Sequence, residues 1–227
     1  MNVINVLMDT LLAVDWADIG VATMETLTMV GGSLVFTVLL GLPLGIVLFL
    51  TGPRQLLAHA RLYGFLSLVV NLLRSMPFVI LLILMIPVTV ALVGTSIGVS
   101  GAIPPLVVGA TPFFARLVEN VLREVDRGII EASQSMGASL PQIIFGAVLP
   151  EAFPGLLAAT TVTAIALVSY AAMSGVIGGG GLGDLAIRFG YQRFQTEVMI
   201  VTVGILLILV QVLQAVGDRL VHRYTRS

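Results

Sequence analysis

Between Arg74 and Arg116 the chain carries no charged residue, a run of 41 positions over residues 75–115. At 1.5 Å per residue such a run extends to about 60 Å as helix, enough to cross a hydrocarbon layer of about 30 Å twice. Its middle, Gly94-Thr95-Ser96-Ile97-Gly98-Val99-Ser100-Gly101, is rich in turn residues. The run therefore reads as a hairpin, out over residues 76–93 and back over 103–117. A soluble domain carries roughly 25% charged residues, whereas this 227-residue chain carries 10% and is 58% apolar. It has too little charge to cover a surface in water, so lipid is its outer solvent.

Three more stretches are long and uncharged enough to span: residues 27–50, 156–177 and 198–217. Gly41, Pro43 and Gly45 in the first of them are placed to bend it or to admit a neighbouring helix closely. Residues 62–73 are apolar as well, and either extend the second span or lie along the interface. The fold class is all-α: a polytopic membrane protein with five transmembrane helices. Residues 1–20 form a lead-in that interleaves Asp9, Asp15 and Asp18 with apolar residues. They read as a short surface helix rather than a secretory signal. Residues 21–227 form one membrane domain.

All eleven basic residues other than histidine are arginines. With the first loop on the cytoplasmic side, Arg54, Arg61, Arg74, Arg116, Arg123, Arg127, Arg219, Arg223 and Arg226 lie inside and only Arg188 and Arg193 outside. That bias places the N-terminus outside and the C-terminus inside. A net charge of −1 argues against nucleic acid as a partner, and a chain with no cysteine excludes disulfides and thiol chemistry.

The polar-ended loop over residues 116–151 is cytoplasmic in this topology. Within it, residues 128–136 read as a short helix with Glu131 near its start, where a carboxylate suits the positive end of the dipole. Gly137 is suited to the left-handed conformation that ends such a helix, and Pro141 to the first turn of a second one. Pro150 and Pro154 then delay the fourth span. The product is a helix–turn–helix knob, and charge pattern alone leaves open whether it docks a partner or is an ordinary interfacial loop.

The segment EASQSMGASLPQIIFGAVLP sets Glu131, Ala132, Gly137, Leu149 and Pro150 at the spacing E-A-A, three residues, G, nine residues, I-x-L-P, with Ser133 for the second alanine and Ala147 for the isoleucine. This resembles the coupling loop of importer permeases of the ATP-binding-cassette (ABC) class. Four further blocks are similar to methionine importer permeases: RSMPFVILLILMIP from Arg74, VGTSIG from Val93, ARLVEN from Ala115 and GGGGLGDLAIRFGYQRFQT from Gly178. The resemblance implies a type I importer permease fold that is not an enzyme, in the inner membrane of a bacterial cell. Its implied partners are a second copy of itself, two ATPase subunits that bind ATP and Mg, and an extracytoplasmic methionine-binding protein. It also implies that Glu131, Ala132, Ser133, Gly137, Ala147, Leu149 and Pro150 couple to the ATPase. No cofactor is expected in this chain. A phosphate-cradling loop needs a lysine after its glycines, and the chain has no lysine.

Thr160, Thr163, Leu167, Tyr170 and Ser174 recur at helical spacing on one face of the fourth span. Such a face turns inward, either to line a translocation pathway or to pack against helices with its hydroxyls bonded to the preceding turn. Tyr170 and Met173, large among Ala171, Ala172 and Gly175, are the candidates for a constriction. Gly178 to Gly183 satisfy G-x-G-x-x-G, but no strand precedes them. They read as a tight turn with close backbone approach at the outer mouth. Glu25 and Arg74 read as interfacial anchors, Asp184, Arg188 and Arg193 as external loop charge, and His59 and His222 lie too far apart in sequence to suggest a metal site. Three rivals remain: the same machinery with another amino acid or a small peptide as cargo, an ion-coupled carrier, and an intramembrane enzyme. The last two lack ionisable groups at mid-membrane in spans three to five.

Overall fold

The computed structural model describes residues 15–225, and all secondary structure among them is helical. The surface helix expected over residues 1–20 falls, for residues 1–14, outside the described residues, as does Arg226. Helix α1, Trp16–Thr51, starts on a cap: the Asp15 carboxylate accepts a hydrogen bond from the Ala17 N–H at 2.9 Å. Residues 16–20, expected in the lead-in, are thus its first turns. Glu25 lies well inside the helix rather than at its beginning.

Helix α2, Ala60–Ser75, is capped by His59, whose Nδ1 accepts from the Leu62 N–H at 3.1 Å. It ends because Pro77 forces the preceding residue out of the helical region; Met76 sits at ψ 131°. Helix α3, Phe78–Val93, follows after a break at Met76 and Pro77. The apolar stretch 62–73 is therefore a helix of its own. Gly94 at φ 81° closes α3, and α4, Gly98–Arg123, begins after a three-residue turn, five residues earlier than its apolar run indicated.

Two short helices follow, α5 (Arg127–Ser135) and α6 (Leu140–Ile143). A π turn, Ile144–Val148, runs straight into α7, Leu149–Ser174. Here the expectation that Pro150 and Pro154 delay the fourth span is corrected, since helix continues through both. The Leu149 N–H reaches back to the Ile144 carbonyl, a widened turn centred on Gly146 just ahead of Pro150. The proline ring there meets a turn with more room than a regular helix offers. After a 3-10 turn, Gly175–Ile177, come α8 (Gly181–Leu185), a second π turn (Ala186–Tyr191) and α9 (Thr196–Tyr224).

Among the described residues, four stretches are long and apolar enough to cross a membrane: Trp16–Thr51, Gly98–Arg123, Leu140–Ile177 and Thr196–Tyr224. The broken pair α2 and α3 makes the fifth crossing if counted as one span. Except for α3, which starts two residues later than expected, helix continues beyond the apolar runs, so the other spans are longer than their hydropathy alone indicates.

The chain divides into two compact units. One comprises Met1–Leu34, Pro77–Val107 and Ala164–Leu213, and within it Ile19, Ala22, Leu182, Leu185 and Val198 form a buried cluster. The other comprises Val35–Met76, Val108–Thr163 and Gln214–Ser227; its core joins Phe49, Phe114, Val118 and Leu122 to Ile130, Ile143, Ile144 and Val148. In that second unit Gly41 and Gly45 admit α4 against α1. A Cβ on Gly41 would lie 2.8 Å from the Phe114 ring and one on Gly45 would lie 2.6 Å from Val118. Small residues at such crossings let van der Waals packing hold helices together where lipid removes the hydrophobic drive.

Candidate functional site

The loop over residues 124–148 folds into the expected knob. Asp126 caps α5, its carboxylate accepting from the Gly128 N–H at 2.7 Å. Because α5 starts at Arg127, Glu131 sits in its second turn, and Asp126 rather than Glu131 serves the positive end of the helix dipole. Gly137 takes φ 75°, its N–H bonding to the Gln134 carbonyl at 2.9 Å while Ala138 N–H reaches Ser133 at 3.1 Å. Ser139 and Gln142 then form a capping box, with Pro141 in the first turn of α6.

One side of the knob is dry. Ile130, Ile143, Ile144 and Val148 are buried together, each contributing about 1.5–3 kcal/mol by leaving water. Ser133 is buried with them, its hydroxyl spent on the Ile129 carbonyl at 2.8 Å, and Leu149 packs against the same core. Ala147 is half-buried. The opposite side presents Glu131, Ala132, Gly137 and Pro150 to solvent. The seven motif residues thus sort into a packed set (Ser133, Ala147, Leu149) and a displayed set. The displayed side also carries Met136, 80% exposed, and Phe145, 70% exposed. Neither was singled out from sequence, because a lone Met or Phe in a helical pattern reads as core.

At the base of the knob lies a polar junction that sequence reading missed. Glu119, on the last turns of α4, is 1% exposed. Its carboxylate accepts from Arg116 at 2.5 Å, from Arg123 at 2.7 Å and from the Tyr63 hydroxyl on α2 at 3.1 Å. Arg116 also donates to Ser67 at 2.8 Å and to Asn71 at 3.1 Å, both on α2. The signal in the sequence was the spacing Arg116, Glu119, Arg123, one acid between two bases on a single helix face.

In the other unit the glycine run makes a backbone seat. Gly178, Gly180 and Gly181 all take positive φ. The Gly181 N–H donates to the Glu25 carboxylate at 2.7 Å and the Leu182 N–H to the Thr26 hydroxyl at 2.9 Å. Glu25, read from sequence as an interfacial anchor, instead satisfies the open end of α8 from α1. Asp184 is buried and pairs with Arg188 at 2.7 Å. An open recess of about 260 Å³ lies there, lined by Asp18, Glu25, Asp184, Arg188 and Phe189 among others.

On α7, the hydroxyls of Thr160, Thr163 and Ser174 bond to the carbonyls of Leu156, Ala159 and Ala171 at 2.7–2.8 Å. Thr163 and Ser174 are fully buried, as is Leu167. Tyr170 is half-buried and stacks on Phe78, ring centroids 4.4 Å apart and 9° from parallel. Met173 is 44% exposed.

Residues 39–226 match the model of the family described as binding-protein-dependent transport system inner membrane component. The chain is 50% identical over 202 residues to the probable D-methionine transport system permease protein MetI of Vibrio cholerae, covering 89% of this chain and 90% of that one. It is 46% identical over 205 residues to the methionine import system permease protein MetP of Bacillus subtilis, covering 90% and 92%. Among solved structures, an inward-facing conformation of the MetNI methionine ABC transporter superposes with a TM-score of 0.90 at 48% identity, over 93% of this chain and 97% of that one. An amino acid ABC transporter with histidines shares the fold at a TM-score of 0.72 and 19% identity. A chain whose described residues form helices only, with four apolar helices long enough to span, a broken fifth pair and a two-helix knob, belongs to the family of binding-protein-dependent transport system inner membrane components.

Proposed function

We propose that this chain is the membrane-spanning subunit of an ATP-driven methionine importer, and that its knob receives the work of ATP hydrolysis from a separate ATPase. The observation that carries the reading is the likeness, over about nine-tenths of the chain, to relatives named for methionine transport. The complex holds two copies of this chain and two ATPase subunits in the bacterial inner membrane, with methionine delivered by an external binding protein. ATP and Mg bind on the ATPase. The displayed motif residues Glu131, Ala132, Gly137 and Pro150 form the surface that seats on it. Ser133, Ala147 and Leu149 hold that surface in shape.

The cargo passes along the α7 face. Thr163 and Ser174 are its packed backing, while Thr160, Tyr170 and Met173 have atoms to offer a solute. Methionine is a zwitterion with an apolar thioether, and a path of hydroxyl, ring and thioether groups suits it without a buried ion pair. Stacked rings are worth about 0.5–1.5 kcal/mol, so Tyr170→Ala should shift the balance between closed and leaky states by roughly two- to tenfold. Leak of labelled methionine from proteoliposomes should rise accordingly, and Met173→Ala should act in the same direction. Wild-type leak and uptake in both variants would remove the pair from the pathway.

The central test is reconstitution. The chain should co-purify with an ATPase subunit, and ATP-dependent uptake of labelled methionine should be abolished by excess unlabelled methionine. Indifference to the competitor would assign another cargo. Uptake without the ATPase would overturn the reading in favour of an ion-coupled carrier.

A further inference from the structure

Helix α2 is held to its own unit by little apolar contact. Val70 is its one buried residue, and with Tyr63 and Leu66 it meets Leu44, Leu48 and Ala115 in a small cluster. Leu62, Phe65, Leu68 and Leu72 face outward. What fastens α2 to α4 is polar: the Tyr63 hydroxyl on Glu119, and Arg116 on Ser67 and Asn71. Arg123 completes the junction, its guanidinium 5.7 Å from the centre of the Tyr63 ring.

The same turns of α4 are built into the knob. Leu122, one turn on from Glu119, is buried with Val125, Ile130, Ile143 and Val148. A displacement of α5 and α6 therefore moves Leu122, and with it the Glu119 carboxylate. From α2 the chain passes through Met76 and Pro77 directly into Phe78, the ring that stacks on Tyr170. A covalent and hydrogen-bonded route thus runs from the knob through Glu119 to the residue proposed to narrow the pathway.

We propose that Glu119 is a positioning residue: its buried carboxylate, shared by Arg116, Arg123 and Tyr63, fastens α2 to the base of the knob so that movement of the knob reaches Phe78 and Tyr170. This rests on the reading of the knob as the element that receives work from the ATPase. One carboxylate serving two guanidiniums and a phenol is what the role requires. It fixes three donors from two helices at one point, and no single neighbour can replace it. Removing the charge while keeping the shape, as in Glu119→Gln, leaves the helices in place and loosens the fastening.

The test uses the whole complex, reconstituted with its ATPase and binding protein in proteoliposomes, and reads methionine taken up per ATP hydrolysed. Glu119→Gln should assemble with the ATPase and hydrolyse ATP within about twofold of the wild type, while uptake per ATP falls roughly tenfold, within the range of measured couplings. A residue that only stabilised the fold would lower the amount of complex and reduce both rates together, leaving the ratio unchanged. An unchanged ratio overturns the proposal. Should Glu119→Gln fail to assemble, Tyr63→Phe decides, because it removes one hydroxyl and nothing else. A ratio lowered by roughly twofold or more, the size of one lost hydrogen bond, supports the route, and an unchanged ratio overturns it. Failure of the underlying reading looks different: the wild-type complex itself would then show no ATPase binding or no methionine uptake.

Discussion

Gly137→Val should leave the chain in the membrane and cut ATP-driven uptake by roughly five- to thirtyfold. Gly137 sits at φ 75°, between the last turn of α5 and the cap of α6. Nothing lies within 4 Å of a Cβ added there, so the substitution meets no neighbour and its entire penalty is backbone strain. For an L-residue in the left-handed region that strain is about 1–2 kcal/mol, with a β-branched side chain at the upper end. It depopulates the turn by roughly five- to thirtyfold, since 1.4 kcal/mol is a factor of ten. Because α5 and α6 are short, neither holds its direction once the turn between them changes. Uptake should fall in step with the turn, at unchanged membrane abundance. Gly137→Asn should do less harm, because asparagine tolerates the left-handed region. Full uptake in the valine variant, measured against protein recovered from the membrane, would mean that the partner does not depend on this turn.

How much of this was legible in the sequence differs between the spans and the knob. The spans were readable because lipid imposes one rule, that charge stays out, and the rule leaves runs such as residues 75–115 in plain view. Span ends were less readable. Asp15, counted among the charges of the lead-in, proved to be the cap that starts α1. Pro77 ends α2 outright, whereas Pro150 follows a π turn that makes room ahead of it and Pro154 lies inside α7. The difference between Pro77 and Pro150 lies in the turn before each, and composition does not encode it.

The knob was legible for a different reason. Gly137 and Pro141 act through their own backbone preferences, which travel with the residue wherever it is placed. Glu119 and Glu25 act through partners 56 and 156 positions away in the chain, Tyr63 and Gly181. No local pattern announces such a pairing. Glu25 stood beside a span and looked like an anchor; only the fold brings the unpaired N–H groups of α8 to it. Hydroxyls on α7 show the reverse. Their helical spacing puts them on one face, but Thr163 and Ser174 spend their hydrogen bonds on the preceding turn and lie buried, which spacing alone does not reveal.

Gly183→Ala should be among the most damaging single methyls that the described residues offer. A Cβ at Gly183 would lie 2.5 Å from the Ala172 Cα and overlap the Ala172 carbonyl, both of them backbone atoms of α7 that have no rotamer to change. Overpacking of this kind costs about 1–3 kcal/mol even where side chains absorb part of it. Relief requires α8 to move away from α7, yet α8 is held on another side by Glu25 and Thr26 through the Gly181 and Leu182 N–H groups. Each of those hydrogen bonds is worth about 0.5–1.5 kcal/mol net, so the variant loses about 1–3 kcal/mol whether the overlap persists or the two bonds break to relieve it. The variant should be depleted from the membrane fraction and lose thermal stability in detergent. Gly204→Ala in the middle of α9 supplies the contrast, with nothing within 4 Å of its added Cβ. It should match the wild type or gain about 0.5–1 kcal/mol, the usual helical preference for alanine over glycine. Equal abundance of the two variants would mean that α8 is not seated against α7 as described. A loss confined to Gly183→Ala would locate the strain at the backbone contact that only glycine permits.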